Sequence, residues 1–242
     1  GLYMVNFALE SADPVVQRDI LKRGNINNEE IIKAIGLFKK YGIKSRMQNM
    51  IGLPLKESFK DAMNTLRFNK EHQVVDSWVS VFQPYPSTEL AEYCVKNDFV
   101  DGDIEEKIAE SFFGKSFLNI DNREKIDRLQ KWWFFIVKYN FSDELIDIIL
   151  KIDINNSIGQ SLQNLRYKFS RKYLYGIADE NDDLLDYNEE EIYKNLGSAR
   201  NFNIWGNIIN KYKLCVELSK ILMEIYIPEG ISKEIYNATS MA

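Results

Sequence analysis

The chain has 242 residues, 45% hydrophobic and 28% charged, an ordinary globular composition. It contains no run of 18 apolar residues of the kind that spans a bilayer. Its 31 basic and 36 acidic side chains show no basic stripe that would argue for nucleic acid.

Gly1 leads directly into Leu2–Leu9, which reads as a buried strand, so the chain is expected to be a piece of a longer protein. The stretch Asn27–Tyr41 reads as a helix. Ile31, Ile35 and Phe38 recur at helical spacing, Asn27 or Asn28 caps it, Glu29 and Glu30 suit its first turn, and Gly42 stops it. Ile43–Ile51 is a second strand. Ser58 is expected to cap a helix running to Glu71, with Phe59, Ala62, Met63 and Leu66 facing inward. Ser77–Gln83 is a third strand, closed by Pro84-Tyr85-Pro86, and a helix begins at Glu89. Strands alternating with helices over short links imply parallel pairing. From about Asp98 the pattern becomes helical, over Ile104–Ser111, Glu124–Tyr139, Asp143–Ile152, Ile158–Tyr175, Glu189–Ser198 and Ile204–Tyr226, with a loop at Asp179–Asn188. The consecutive Trp132, Trp133, Phe134 and Phe135 point around their helix and predict burial on most sides.

Cys94 and Cys215 stand 121 positions apart and His72 is the one histidine, so the spacing supports no zinc or heme site. This cysteine usage is expected of a reducing, cytoplasmic setting, with both thiols buried as small apolar groups.

In parallel α/β architectures the reactive groups lie at the carboxyl ends of the strands. The first strand ends Ala8-Leu9-Glu10-Ser11-Ala12-Asp13-Pro14. The second ends Asn49-Met50-Ile51-Gly52-Leu53-Pro54, followed by Glu57. The third ends Phe82-Gln83-Pro84-Tyr85-Pro86-Ser87-Thr88-Glu89-Leu90. Alternation puts Asn6, Ala8 and Glu10 on one face of the first strand, and Lys44, Arg46 and Gln48 on one face of the second. Plainer readings stand beside these. Glu10 also suits the first turn of the next helix, Arg46 an ordinary ion pair, Gly52 a tight turn, and Pro84 and Pro86 a strand end.

In this order the three strand ends resemble the "G(I/L)ES(G/A)", "IGLPGET" and "PYPGTEL" segments of radical S-adenosylmethionine (SAM) enzymes. The patches Ile20-Leu21-Lys22-Arg23 and Ile35–Ile43 fit as well. The likeness covers residues 1–97, and Leu129–Asn140 looks like the helical tail of the cobalamin-binding members. Three departures are visible: Leu55 and Ser87 where the family has glycine, and Ala12 after Ser11.

The resemblance implies an α/β fold. A partial TIM-like (β/α) barrel, strands four to six, fills residues 1–97, and an all-helical C-terminal region fills 98–242. It implies an enzyme using SAM, a four-iron four-sulfur cluster and cobalamin for radical methyl transfer or carbon-skeleton modification on an unidentified small molecule. The cluster and the cobalamin are expected on a missing N-terminal half, because the chain has no CxxxCxxC loop. Implied cofactor contacts are Glu10 and Ser11 at the ribose or methionine amine, Arg46 or Asn49 at the methionine carboxylate, Gly52, Leu53 and Pro54 along the ligand, and Phe82, Gln83 and Pro84 at the adenine. Two alternatives stand: a radical SAM enzyme of a methylthiotransferase-like or coproporphyrinogen-oxidase-like branch, and a non-catalytic helical interaction module.

Overall fold

Three runs with alternating large side chains form the strands β1 (Met4–Glu10), β2 (Lys44–Ile51) and β3 (Asp76–Val81) of a computed structural model. It describes residues 1–108, 115–138 and 140–151, together with 154, 159–160, 162–164, 166–167 and 170. The strands pair in parallel in the order β1-β2-β3. The register sets Asn6 beside Arg46 and Arg46 beside Asp76. It shifts between Ala8 and Glu10, so that Glu10 comes to lie beside Asn49. This bulge breaks the simple alternation that groups Asn6, Ala8 and Glu10 on one face.

Helix α1 (Asn28–Lys40) begins as its sequence dictates. The Asn27 side chain accepts from the Glu30 amide, and acidic residues at the start and Lys39 and Lys40 at the end complement the helix dipole. Gly42 then takes φ +63° and turns the chain into β2. Helix α2 (Ser58–Glu71) starts differently from expectation. Ser58 is its first helical residue, fully buried, and makes no capping bond. The cap comes instead from Asp121, whose carboxylate accepts from the Phe59 amide at 3.1 Å. Helix α3 (Glu89–Lys96) is capped by Thr88, and the short α4 (Ile104–Lys107) by Asp103.

Helix α5 (Arg123–Lys138) buries Trp132 through Val137 without a break, as the consecutive aromatics predict. It packs beside α2 and on β3, and its Trp133 indole donates to Ser77 Oγ at 2.7 Å. One sheet face, with Leu9 and Met47, meets Ile31 and Ile35 of α1 and Phe68 of α2 in a dry core. The opposite face, carrying Asn6, Ala8, Arg46, Gln48 and Trp78, is exposed or only partly buried.

The expected partial barrel of strands four to six is not what these residues form. The sheet is open, with β1 and β3 at its two edges, and no described strand extends it on either side. A barrel arc needs strands that continue to pair at both edges. Here the chain turns to helix after β3, and α5 lies on the sheet.

The chain divides into two compact units, Gly1–Lys138 and Tyr139–Ala242. In the second, α6 (Asp143–Ile149) is capped by Ser142, whose hydroxyl accepts from the Leu145 amide. The expected elements at 179–188, 189–198 and 204–226, most of the helix at 158–175, the end of the helix at 104–111, and Cys215 lie outside the described residues. Among those described, no helix is long and apolar enough to cross a membrane.

Candidate functional site

The carboxyl ends of the three strands lie side by side at one end of the sheet. The Phe82 amide donates to the Ile51 carbonyl at 2.8 Å, and Glu10 pairs with Asn49. Each end carries a residue in the left-handed region: Glu10 at φ +65°, Gly52 at +72° and Ser87 at +64°. At Gly52 it is the left-handed backbone that calls for glycine, since a Cβ there would make only ordinary contact with Ile126 Cγ2 at 3.4 Å and Val81 Cγ1 at 3.5 Å. Ser87 occupies a conformation that glycine adopts without strain, which explains why glycine suits that position. Leu55, the other residue standing where the motif has glycine, is not left-handed. It packs on the apolar cluster, so its side chain has a use.

The turn after β1 is the most heavily tethered of the three. The Ser11 hydroxyl donates to Asp61 Oδ1 at 2.6 Å and accepts from the Asp13 amide at 3.1 Å. The Ala12 amide donates to Thr65 Oγ1 at 2.9 Å. The Gln17 amide nitrogen donates to the Ser11 carbonyl at 2.6 Å and to Asn28 Oδ1, while Asn28 donates to the Ala12 carbonyl. Ser11 is thus fully buried and spent on the protein itself. Glu10 is not. Its side chain keeps 20% exposure and faces Arg23, 27% exposed, at 3.4 Å; Arg23 also donates to the Ala8 carbonyl. Burial raises the Glu10 carboxyl above its ordinary value, and Arg23 partly offsets this. A non-glycine residue in the left-handed region costs about 1–2 kcal/mol, and such strain gathers where a side chain must be aimed.

The other expected contacts divide. Arg46 sits low in the sheet and forms an ion pair with the buried Asp76 at 2.8 Å. Asn49 is fully buried and points the other way, donating to Asn69, Ser77 and the Trp78 carbonyl. Glu10, Arg46 and Asn49 therefore join three separate clusters. Gly52, Leu53, Pro54, Phe82, Gln83 and Pro84 are all buried. Leu53 and Phe82 belong to an apolar cluster with Val16, Cys94 and Leu118 that closes over the β2 and β3 ends. Gln83 donates to the Lys115 carbonyl at 3.4 Å, and its Oε1 is buried with no partner.

Cys94 lies in that apolar cluster, and burial pushes its thiol up to about 12. A thiol held protonated in dry surroundings does not fit a metal ligand, and among the described residues no group of three His, Cys, Asp or Glu side chains is placed to hold a metal. These residues do not fit an iron–sulfur cluster.

Sequence reasoning missed Arg23, Gln17, Asn28, Asp61 and Thr65. A signal existed for the last two, because Asp61, Thr65 and Asn69 recur every four residues on α2 and so share a face. Polar residues at that spacing usually mark the solvated side; here they are buried.

No protein-family model matches the sequence. Over 100 residues the chain is 30% identical to an uncharacterized methyltransferase of Pyrococcus horikoshii. The match covers 41% of this chain and 21% of that relative's length.

Proposed function

We propose that this chain contributes part of an S-adenosylmethionine site to a methyltransferase of the radical SAM type. The observation that carries the reading is the β1 end. There a strained, tightly tethered turn presents a partly exposed carboxylate beside a partly exposed guanidinium, next to two further motif-bearing strand ends. The similarity to a methyltransferase supports the methyl-transfer part of this reading.

The methionine moiety of SAM is a zwitterion, so a Glu/Arg pair offers one partner for each end: Glu10 for the ammonium, Arg23 for the carboxylate. Arg23 takes the part that sequence reasoning gave to Arg46, which Asp76 holds away from the strand end. Gly52–Pro54 and Phe82–Pro84 are buried beneath the protein's own side chains, so no ligand contact is assigned to them. The cluster and the cobalamin that the resemblance implies would be held by sequence outside these 242 residues, and neither enters the role assigned here.

Calorimetric titration of the 242-residue chain with S-adenosylmethionine and with S-adenosylhomocysteine tests this. Saturable binding is expected, weakened about tenfold by Glu10→Gln and by Arg23→Gln, as for loss of one charged hydrogen bond of about 1.4 kcal/mol. Absence of binding by the folded wild type overturns the reading. It would favour the interaction-module alternative, which the separation of Glu10, Arg46 and Asn49 into different clusters supports.

A further inference from the structure

A buried carboxyl that leaves one oxygen without a partner is a poor choice for stability alone. Asp61 is such a group. It is 5% exposed, its Oδ1 accepts from Ser11, and its Oδ2 is buried with no partner. A threonine four residues on in the same helix grips the next residue of the same turn through the Ala12 amide. The helix thus holds the turn at two consecutive points, and the first of them is ionisable.

We infer that Asp61 is a positioning residue: by holding the Ser11 hydroxyl it fixes the left-handed Glu10 turn, and its protonation state regulates ligand binding at the β1 end. The inference rests on the site proposed above. The mechanism uses no new contact to ligand. An ionised Asp61 accepts a charge-assisted, short bond from Ser11, and that bond orients the peptide on which the Glu10 carboxylate is carried. Protonation removes the charge assistance, and the turn loosens.

The groups bearing on Asp61 are few. The Ser11 hydroxyl favours its ionised form, while the Asp13 carboxylate from the turn opposes it. On its own helix Lys60 is drawn to Glu57 and, more weakly, to Asp13. At the far side of the turn, Glu10 is answered by Arg23. Burial dominates and lifts the Asp61 carboxyl to about 6, within the range where a protein can respond to pH.

Two measurements on the 242-residue chain test the inference. In amide NMR spectra recorded from pH 7.5 to 5, the Ser11, Ala12 and Asp13 signals are expected to move with a midpoint near 6, and to stay still in Asp61→Asn. S-adenosylhomocysteine affinity is expected to fall at least threefold over the same range in the wild type and to lose that dependence in Asp61→Asn. Asp61→Ala should bind at least fivefold more weakly than Asp61→Asn, because asparagine still accepts from Ser11. Amide signals that do not titrate, or that titrate equally in Asp61→Asn, overturn the positioning role. Titrating amides in a wild type that binds no adenosyl ligand would leave the positioning intact, overturn the regulation of ligand binding, and sink the proposed function.

Discussion

The two ends of α2 bury polar side chains against the same sheet, and they do so on opposite terms. At the C-terminal end the groups are neutral and satisfied. Asn69 donates to Asn49 Oδ1 and to the Thr65 carbonyl, accepts from Ser77, and Ser77 in turn accepts from Trp133. At the N-terminal end Asp61 is ionisable and one of its oxygens has no partner. The first arrangement pins β2, β3, α2 and α5 in one register. The second holds a turn that carries an accessible charge. A buried polar network stabilises where every member is satisfied, and an unsatisfied member points to another use.

The contrast breaks most sharply at Asn69. Replacing it by leucine strands Asn49 and Ser77 in a dry site, and urea unfolding should show a loss of about 3 kcal/mol with an unchanged slope. The other end should respond with the opposite sign. The Asp61 carboxyl has an ordinary value of 3.8 and titrates at about 6 in the fold. Between those values the folded state holds the proton more tightly than the unfolded one. Asp61 therefore contributes stability below about pH 4, which is lost as pH rises through 6. Asp61→Asn should raise stability at pH 7.5 by about 2 kcal/mol, do little at pH 4, and flatten the slope between, as read from unfolding at several pH values. The amide nitrogen it introduces replaces an oxygen that already lacked a partner.

A finer test compares neighbours on α5. Trp133 donates to Ser77, whereas the Trp132 indole nitrogen is buried without a partner. Trp133→Phe should therefore cost about 1 kcal/mol more than Trp132→Phe in thermal unfolding. The smallest effect is expected at the β3 end, where Ser87→Gly relieves a left-handed residue and should raise stability by about 0.5 kcal/mol after the glycine entropy penalty.

Much of the local structure was legible in the sequence, because short-range chemistry dictates it. The Asn27 cap, the Gly42 reversal, the three strands and the buried Trp132–Val137 run each follow from residues within a turn or two of one another. What was not legible depends on partners far along the chain. Phe59, Ala62, Met63 and Leu66 were expected to face inward, yet the face of α2 also buries Asp61, Thr65 and Asn69. Their partners Ser11, Ala12 and Asn49 lie 50, 53 and 20 positions away. Arg46 looked available for a ligand until Asp76, thirty positions on, claimed it. The barrel expectation failed for a related reason: motifs at strand tips say which residues end a strand, not how many neighbours that strand will find. Of the residues named at the strand tips, Glu10 does end its strand with a partly exposed carboxylate. Its companion Arg23 was only noted as part of a linking patch.

The cap on α2 has a consequence for how this molecule comes into being. Its first turn waits for Asp121, 62 residues farther on, to receive the Phe59 amide. At about 5–20 residues per second of translation, that leaves the helix start open for roughly 3–12 seconds on the ribosome. For the later part of that interval, once β3 has been made, the nascent chain has all three strands but an unfinished helix, the form in which a chaperone would meet it.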